Sequence, residues 1–234
     1  MNRREALLGC LLGVALPRGA AAANDIGWND LPDPALFPVE DPLHALTPRQ
    51  RADLWRIIRL RDRLGGTSVT AAARPRLEVR HRTLILELSR EGIDAEDIIS
   101  GLPELERQKR RASLAVNPRL EGTVIRISGY AFPGLSGWDG RPVAYVVPEI
   151  GMCSHTPPPP PNMLLRTRIA SGPEIDEDYV PVLITGRLLT EYSVEDVHVV
   201  DGMQRLVSTA TVEDAHVSVL GAAEEFVPNH LAGN

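Results

Sequence analysis

The spacing of apolar residues changes character partway along the chain. From Thr47 the pattern is helical: Thr47-Pro48-Arg49-Gln50 fits a capping box with Pro at the first helical position. Leu54, Trp55, Ile58 and Leu64 follow near helical spacing, and Gly65-Gly66 ends the run. A second helix is predicted from Pro75 to Glu91, stopped by Gly92. Asp94 caps a third through Ile99, and Pro103 to Ser113 forms a fourth. After Asn117-Pro118 the period drops to two, and Thr123 to Tyr130 alternates like a half-buried strand. Pro142–Val147, Leu164–Ile169, Val180–Leu189 and Arg205–Val219 repeat that character between Gly, Pro, Asp and Ser breaks. Strands in succession without intervening helices predict an α+β protein: a helical N-terminal segment on a small antiparallel β-sheet or partly open, OB-like barrel. The expected division is an extended arm over 24–46, a helical region over 47–116, a β-domain over 117–220 and a C-terminal tail over 221–234. Trp28, Leu31, Leu36 and Phe37 are the expected anchors of the Pro- and Asp-rich arm.

Residues 1–23 carry a different pattern. Arg3 and Arg4 precede an apolar run from Ala6 to Leu16, and Ala21-Ala22-Ala23 offers small residues for cleavage. This is the anatomy of an export signal, with cleavage expected near Ala23 and a periplasmic or otherwise exported destination, by a Sec or twin-arginine route. Cys10 belongs to the apolar run, which continues past it. No later stretch approaches the ~20 apolar residues that a membrane span requires.

The formal charge is −6, or −8 once the signal is removed, which argues against a nucleic-acid-binding protein. Arg107, Lys109, Arg110 and Arg111 then read as a solvated helix face. The acidic run Glu174, Asp176, Glu177 and Asp178 reads as a solvated loop, since calcium needs a different ligand spacing.

Signal removal also leaves Cys153 as the sole cysteine. In an oxidising compartment it has no partner for an internal disulfide, so it is buried, metal-bound, paired between chains, or reactive. It sits in Gly-Met-Cys-Ser-His-Thr-Pro-Pro-Pro-Pro-Pro-Asn, residues 151–162. Cys153 and His155 share a face if the segment is extended. A thiolate beside an imidazole begins a zinc site, or makes a reactive thiol. His44, His81, His198, His216 and His230 are the available further ligands. Pro157, Pro158, Pro159, Pro160 and Pro161 form a polyproline rod about 15 Å long, at ~3.1 Å per residue. With Asn162 they make either a stiff connector or a ridge for a partner's aromatic groove.

This motif resembles the Gly-x-Cys-x-His-x-Pro-Pro-Pro-Pro-x-Asn signature of an exported bacterial family of unknown function. Trp28-Asn29-Asp30-Leu31-Pro32 is similar to that family's early Trp-x-x-Leu-x-Pro element, with Pro32 one place early. Ile127–Pro133, Ala144–Pro148 and Pro181–Gly186 are similar to its strands. The resemblance spans Trp28–Pro32 and about Leu120–Val217, leaving 47–116 outside it. Some members resemble accessory proteins encoded beside zinc-linked ABC-type permeases. The resemblance therefore implies a periplasmic accessory protein that binds or handles zinc through Cys153 and His155 for an envelope ABC-type transporter. Two alternatives stay open: a non-catalytic interaction module with a structural Cys–His turn, and a thiol-dependent enzyme. The enzyme ranks last, because no oxyanion hole or third catalytic residue is evident.

Overall fold

A computed structural model describes residues 22–135, 137 and 140–221. Residues 1–21 of the expected export signal, including Arg3, Arg4 and Cys10, and most of the C-terminal tail, including His230, lie outside the described residues.

The helical region opens where the capping box predicts. Thr47 Oγ1 accepts from the Gln50 N–H at 3.3 Å, Gln50 Oε1 accepts from the Thr47 N–H at 2.8 Å, and Pro48 begins α1 (Pro48–Gly65). Helix α2 spans Arg74–Arg90 and α3 spans Ala95–Leu114. Leu54 and Ile57 of α1 pack with Leu88 of α2 and with Ala95 and Ile99 of α3 in a small core of their own. Trp55, counted among the helix's apolar positions, instead points outward and is 44% exposed.

The expected third and fourth helices are one. Asp94 caps α3 by accepting from the Asp97 N–H at 3.0 Å, and the helix runs through Pro103. An interior proline costs roughly 3 kcal/mol. The helix continues because Ile99 before it, and Leu105 and Ala112 after it, are all buried.

Strands β2 (Val124–Pro133), β3 (Val143–Val147), β4 (Leu165–Ser171), β5 (Val180–Val199) and β6 (Gly202–Val219) form the β body, with a two-residue β1 (Asn24–Asp25) at its edge. The fold is α+β, as the periodicity predicts. The sheet is not purely antiparallel: β1 lies parallel to β2, and β4 lies parallel to β6. The order β2-β3-β4-β6-β5 curls until β5 meets β2 again. Only Tyr130 and Ala131 of β2 have partners in both β3 and β5, so the sheet is a partly open barrel and not a closed one.

Strand β5 runs ten residues beyond the expected Leu189. Its far part pairs with β6 as a long hairpin from Ser193↔Ser208 to Val199↔Gly202. Tyr145 and Val147 of β3 pack with Val197, Val199 and Leu206 of this hairpin, so β3 is buried on both faces. The other face of the sheet holds the main core, including Ile127, Val146, Leu165, Ile184 and Val212.

The arm completes that core. Ile26, Trp28 and Leu31 insert into it, and Trp28 Nε1 donates to the Ser128 carbonyl at 2.8 Å. Leu36 is half-buried and Phe37 is 41% exposed, so the anchoring stops at Leu31. The chain leaves and re-enters the β body side by side. Pro32 bridges Val116, the Asp33 N–H donates to the Ala115 carbonyl at 3.1 Å, and the Asn117 N–H donates to the Leu31 carbonyl at 2.7 Å. The three helices are thus an insertion between two neighbouring extended segments.

Candidate functional site: a buried cysteine turn and a proline ridge

Strand β3 delivers the chain to Gly151, where it winds into tight turns. Gly151 has φ +85°. Its carbonyl accepts from the Ser154 N–H at 3.2 Å and from the Thr156 N–H at 3.1 Å. Cys153 follows at φ +72°, a left-handed conformation that costs a non-glycine residue about 1 kcal/mol. The segment is therefore not extended, and the two-residue alternation that would put Cys153 and His155 on one face does not hold.

The two side chains part company. Cys153 is fully buried among Phe132, Tyr145, Val147, Leu164 and the β5–β6 hairpin. Burial pushes its thiol up to about 11. His155 is exposed, and its Nδ1 lies 3.0 Å from Asp201 Oδ2 at the hairpin tip. Tyr179 fastens the turn from a third side: its hydroxyl donates at 2.5 Å to the Met152 carbonyl and lies 2.7 Å from Ser154 Oγ. Its ring tilts against Phe132 with centroids 5.9 Å apart.

Zinc needs several ligands converging on one point, with a deprotonated thiolate among them. Cys153 faces an apolar cluster and His155 faces solvent. His44 sits beside Asp41, while His216 lies between Ser171 and Ser218. Among the described residues, no group of three or more His, Cys, Asp or Glu is placed to hold a metal ion. The described residues thus assemble no zinc centre around Cys153 and His155. Burial also disfavours the thiolate that a nucleophile needs, while His155 is exposed and set against Asp201.

The proline run behaves as a rod for most of its length. Pro157, Pro158 and Pro160 are exposed, whereas Pro159 and Asn162, three apart as a three-residue turn requires, are buried. The rod ends at Pro161, which opens a short 3-10 turn through Met163. Asn162 is 1% exposed, and its Nδ2 donates to the carbonyls of Ala112 at 2.7 Å and Ala115 at 2.6 Å. Those carbonyls belong to the end of α3, where backbone acceptors lack intrahelical donors. The motif's last residue thus ties the β body to the helical insertion. Beside it lies a mostly apolar groove of about 450 Å³ between the arm, α3 and the rod's end, lined in part by Phe37, Pro38, Pro160 and Met163.

Two participants escape the sequence reading, and a third is named there without its partner. Asp201 and Tyr179 come from distant segments, and no local pattern marks either. The role of Asn162 is hidden because its acceptors lie 47 and 50 residues away. The acidic residues Glu174, Asp176, Glu177 and Asp178 are exposed, as expected of a solvated loop.

No curated protein matches the sequence significantly. Among solved structures, the chain is similar to a DUF3299 family protein from Pseudomonas aeruginosa PAO1, with 17% identity over 86% of this chain and 98% of that one and a TM-score of 0.42. The profile of a family described as "Protein of unknown function (DUF3299)" matches residues 77–207. That span begins inside α2, so the family takes in helices that the motif-based resemblance leaves outside. The chain belongs to the DUF3299 family of proteins of unknown function.

Proposed function

We propose that this is an exported, non-catalytic interaction module whose Cys–His turn is structural and whose proline ridge engages a partner in the envelope. One observation carries the reading: Pro157, Pro158 and Pro160 are exposed on either side of the buried Pro159, while Cys153 is sealed in an apolar cluster. A polyproline ridge is already ordered, so a partner's aromatic groove binds it at little conformational cost. The turn beneath, fastened by Tyr179 and by the His155–Asp201 pair, holds that ridge in a fixed direction. An accessory role beside a transporter is compatible with such a module. Direct zinc holding by Cys153 and His155 would need further ligands, and among the described residues no third one joins them.

The test is in-cell photo-cross-linking from a reactive residue at position 158, with position 78 on α2 as the control. Discrete adducts are expected from 158 alone, and they should vanish when Pro157 and Pro160 are changed to Ser in a chain that melts normally. Adducts that persist without the prolines, or none at all, sink the reading. Stoichiometric zinc in folded wild type, lost in His155→Ala, replaces it with the metal-handling alternative.

A further inference from the structure

Charge is unevenly distributed along this chain. Between Pro48 and Glu91 there are eleven arginines and five carboxylates, an excess of six positive charges in a chain whose total is −6. Everything else therefore carries −12. The segment is the α1–α2 hairpin, so the molecule has one basic end on an otherwise acidic body.

The arginines also converge. Arg56, Arg59 and Arg63 of α1 and Arg80 of α2 rim a groove of about 230 Å³ floored by Leu60 and Leu77. Asp53 neutralises Arg56 at 2.6 Å. Among the described residues, none forms an ion pair with Arg59, Arg63 or Arg80. Trp55, four residues before Arg59 and eight before Arg63, rises on the same helical face and is 44% exposed.

We propose that the α1–α2 hairpin docks on an anionic phospholipid surface, with Arg59, Arg63 and Arg80 on lipid phosphates and Trp55 in the interfacial layer. Guanidinium groups bind phosphate oxygens in bidentate fashion. An indole beside them suits a boundary that is wet on one side and apolar on the other. The net charge of the rest of the chain favours approach by this end, because the hairpin carries +6 while α3, with its Arg107–Arg111 run, is balanced by four carboxylates. A nucleic acid supplies the phosphates too, yet the backbone of a duplex offers an exposed Trp no apolar layer to enter. The lipid surface answers both halves of the patch.

Flotation of the chain from Asn24 onward, the expected exported form, with vesicles decides it. Binding is expected to vesicles of equal parts phosphatidylcholine and phosphatidylglycerol, not to phosphatidylcholine alone, and it should weaken as salt rises. Replacing Arg59, Arg63 and Arg80 together by Gln should weaken binding about a hundredfold, at ~1 kcal/mol per cation near the surface, with the melting temperature unchanged. Trp55→Ala should lower affinity while leaving the salt dependence as it is. Equal binding to both vesicle types, an undiminished triple variant, or tighter binding to mixed-sequence duplex DNA at the same ionic strength overturns the proposal. This outcome is independent of the cross-linking result, which concerns the opposite, β side of the sequence.

Discussion

At Cys153, burial decides the chemistry. Counting cysteines singles this residue out, and the count is a sound guide to its importance. Its surroundings are not legible, because the shared face with His155 depends on an extended backbone that Gly151 bends away. The thiol should therefore be inert to alkylation in the folded protein and react only on unfolding. It should also leave a signature at high pH. The ordinary value is 9.0 and the folded value about 11. Below pH 9 both states hold the proton and the stability is intact. Between about 9 and 11 the unfolded chain releases it while the folded chain does not, so stability falls as pH rises. Denaturation midpoints across that window should fall more steeply for wild type than for Cys153→Ala. Parallel curves would show that the thiol is not buried as described. Asn162 offers a second test at this scale. Asn162→Ala removes one donor from each of two helix-end carbonyls, which keep the N–H groups of Ala115 and Asp33, and should cost about 1–3 kcal/mol in urea denaturation, whereas an exposed Pro158→Ala should be near neutral.

Among the elements, those written in local pattern are legible and those decided by packing are not. The capping box starts α1 at the expected residue, and five strand cores fall where alternation puts them. The break at Pro103 fails because buried side chains on both sides of it hold one helix together. The extra length of β5 is missed because Glu191, Asp196 and their neighbours read as loop, although Val197 and Val199 still alternate inward. Gly129 is the clearest case of an element fixed by a distant one. A Cβ there would lie 2.8 Å from Trp28 Cζ2 and 2.7 Å from Val146 Cγ1. Gly129→Ala should cost roughly 1–3 kcal/mol, as over-packing does. The loss should be smaller in a Trp28→Phe background, because the clashing ring atom is gone. Additive losses in the double variant would separate the two sites.

For the whole molecule, the expectation of a helical part and a β part holds, but the arm that precedes both belongs to the β core. Ile26, Trp28 and Leu31 lie outside the 120–219 segment and inside its main cluster. A fragment lacking residues 24–116 should therefore fail to fold. Removing only the helices, by joining Pro34 to Leu114 through a short Gly-Ser link, should leave a β-rich circular-dichroism spectrum and a cooperative melt. Failure of the second fragment would mean that α3, through Asn162, is indispensable to the β body.

The insertion of Trp28 into the β core also sets a schedule for synthesis. The Trp28 indole donates to a carbonyl exactly a hundred residues later, and Asp25 pairs with Arg126. At about 5–20 residues per second, the ribosome needs roughly 5–20 s to supply those partners. Through that interval α1 and α2, whose contacts are local, have all they need to form, while Trp28 and Leu31 wait unburied. The earliest-made part of the barrel is thus among the last to find its place.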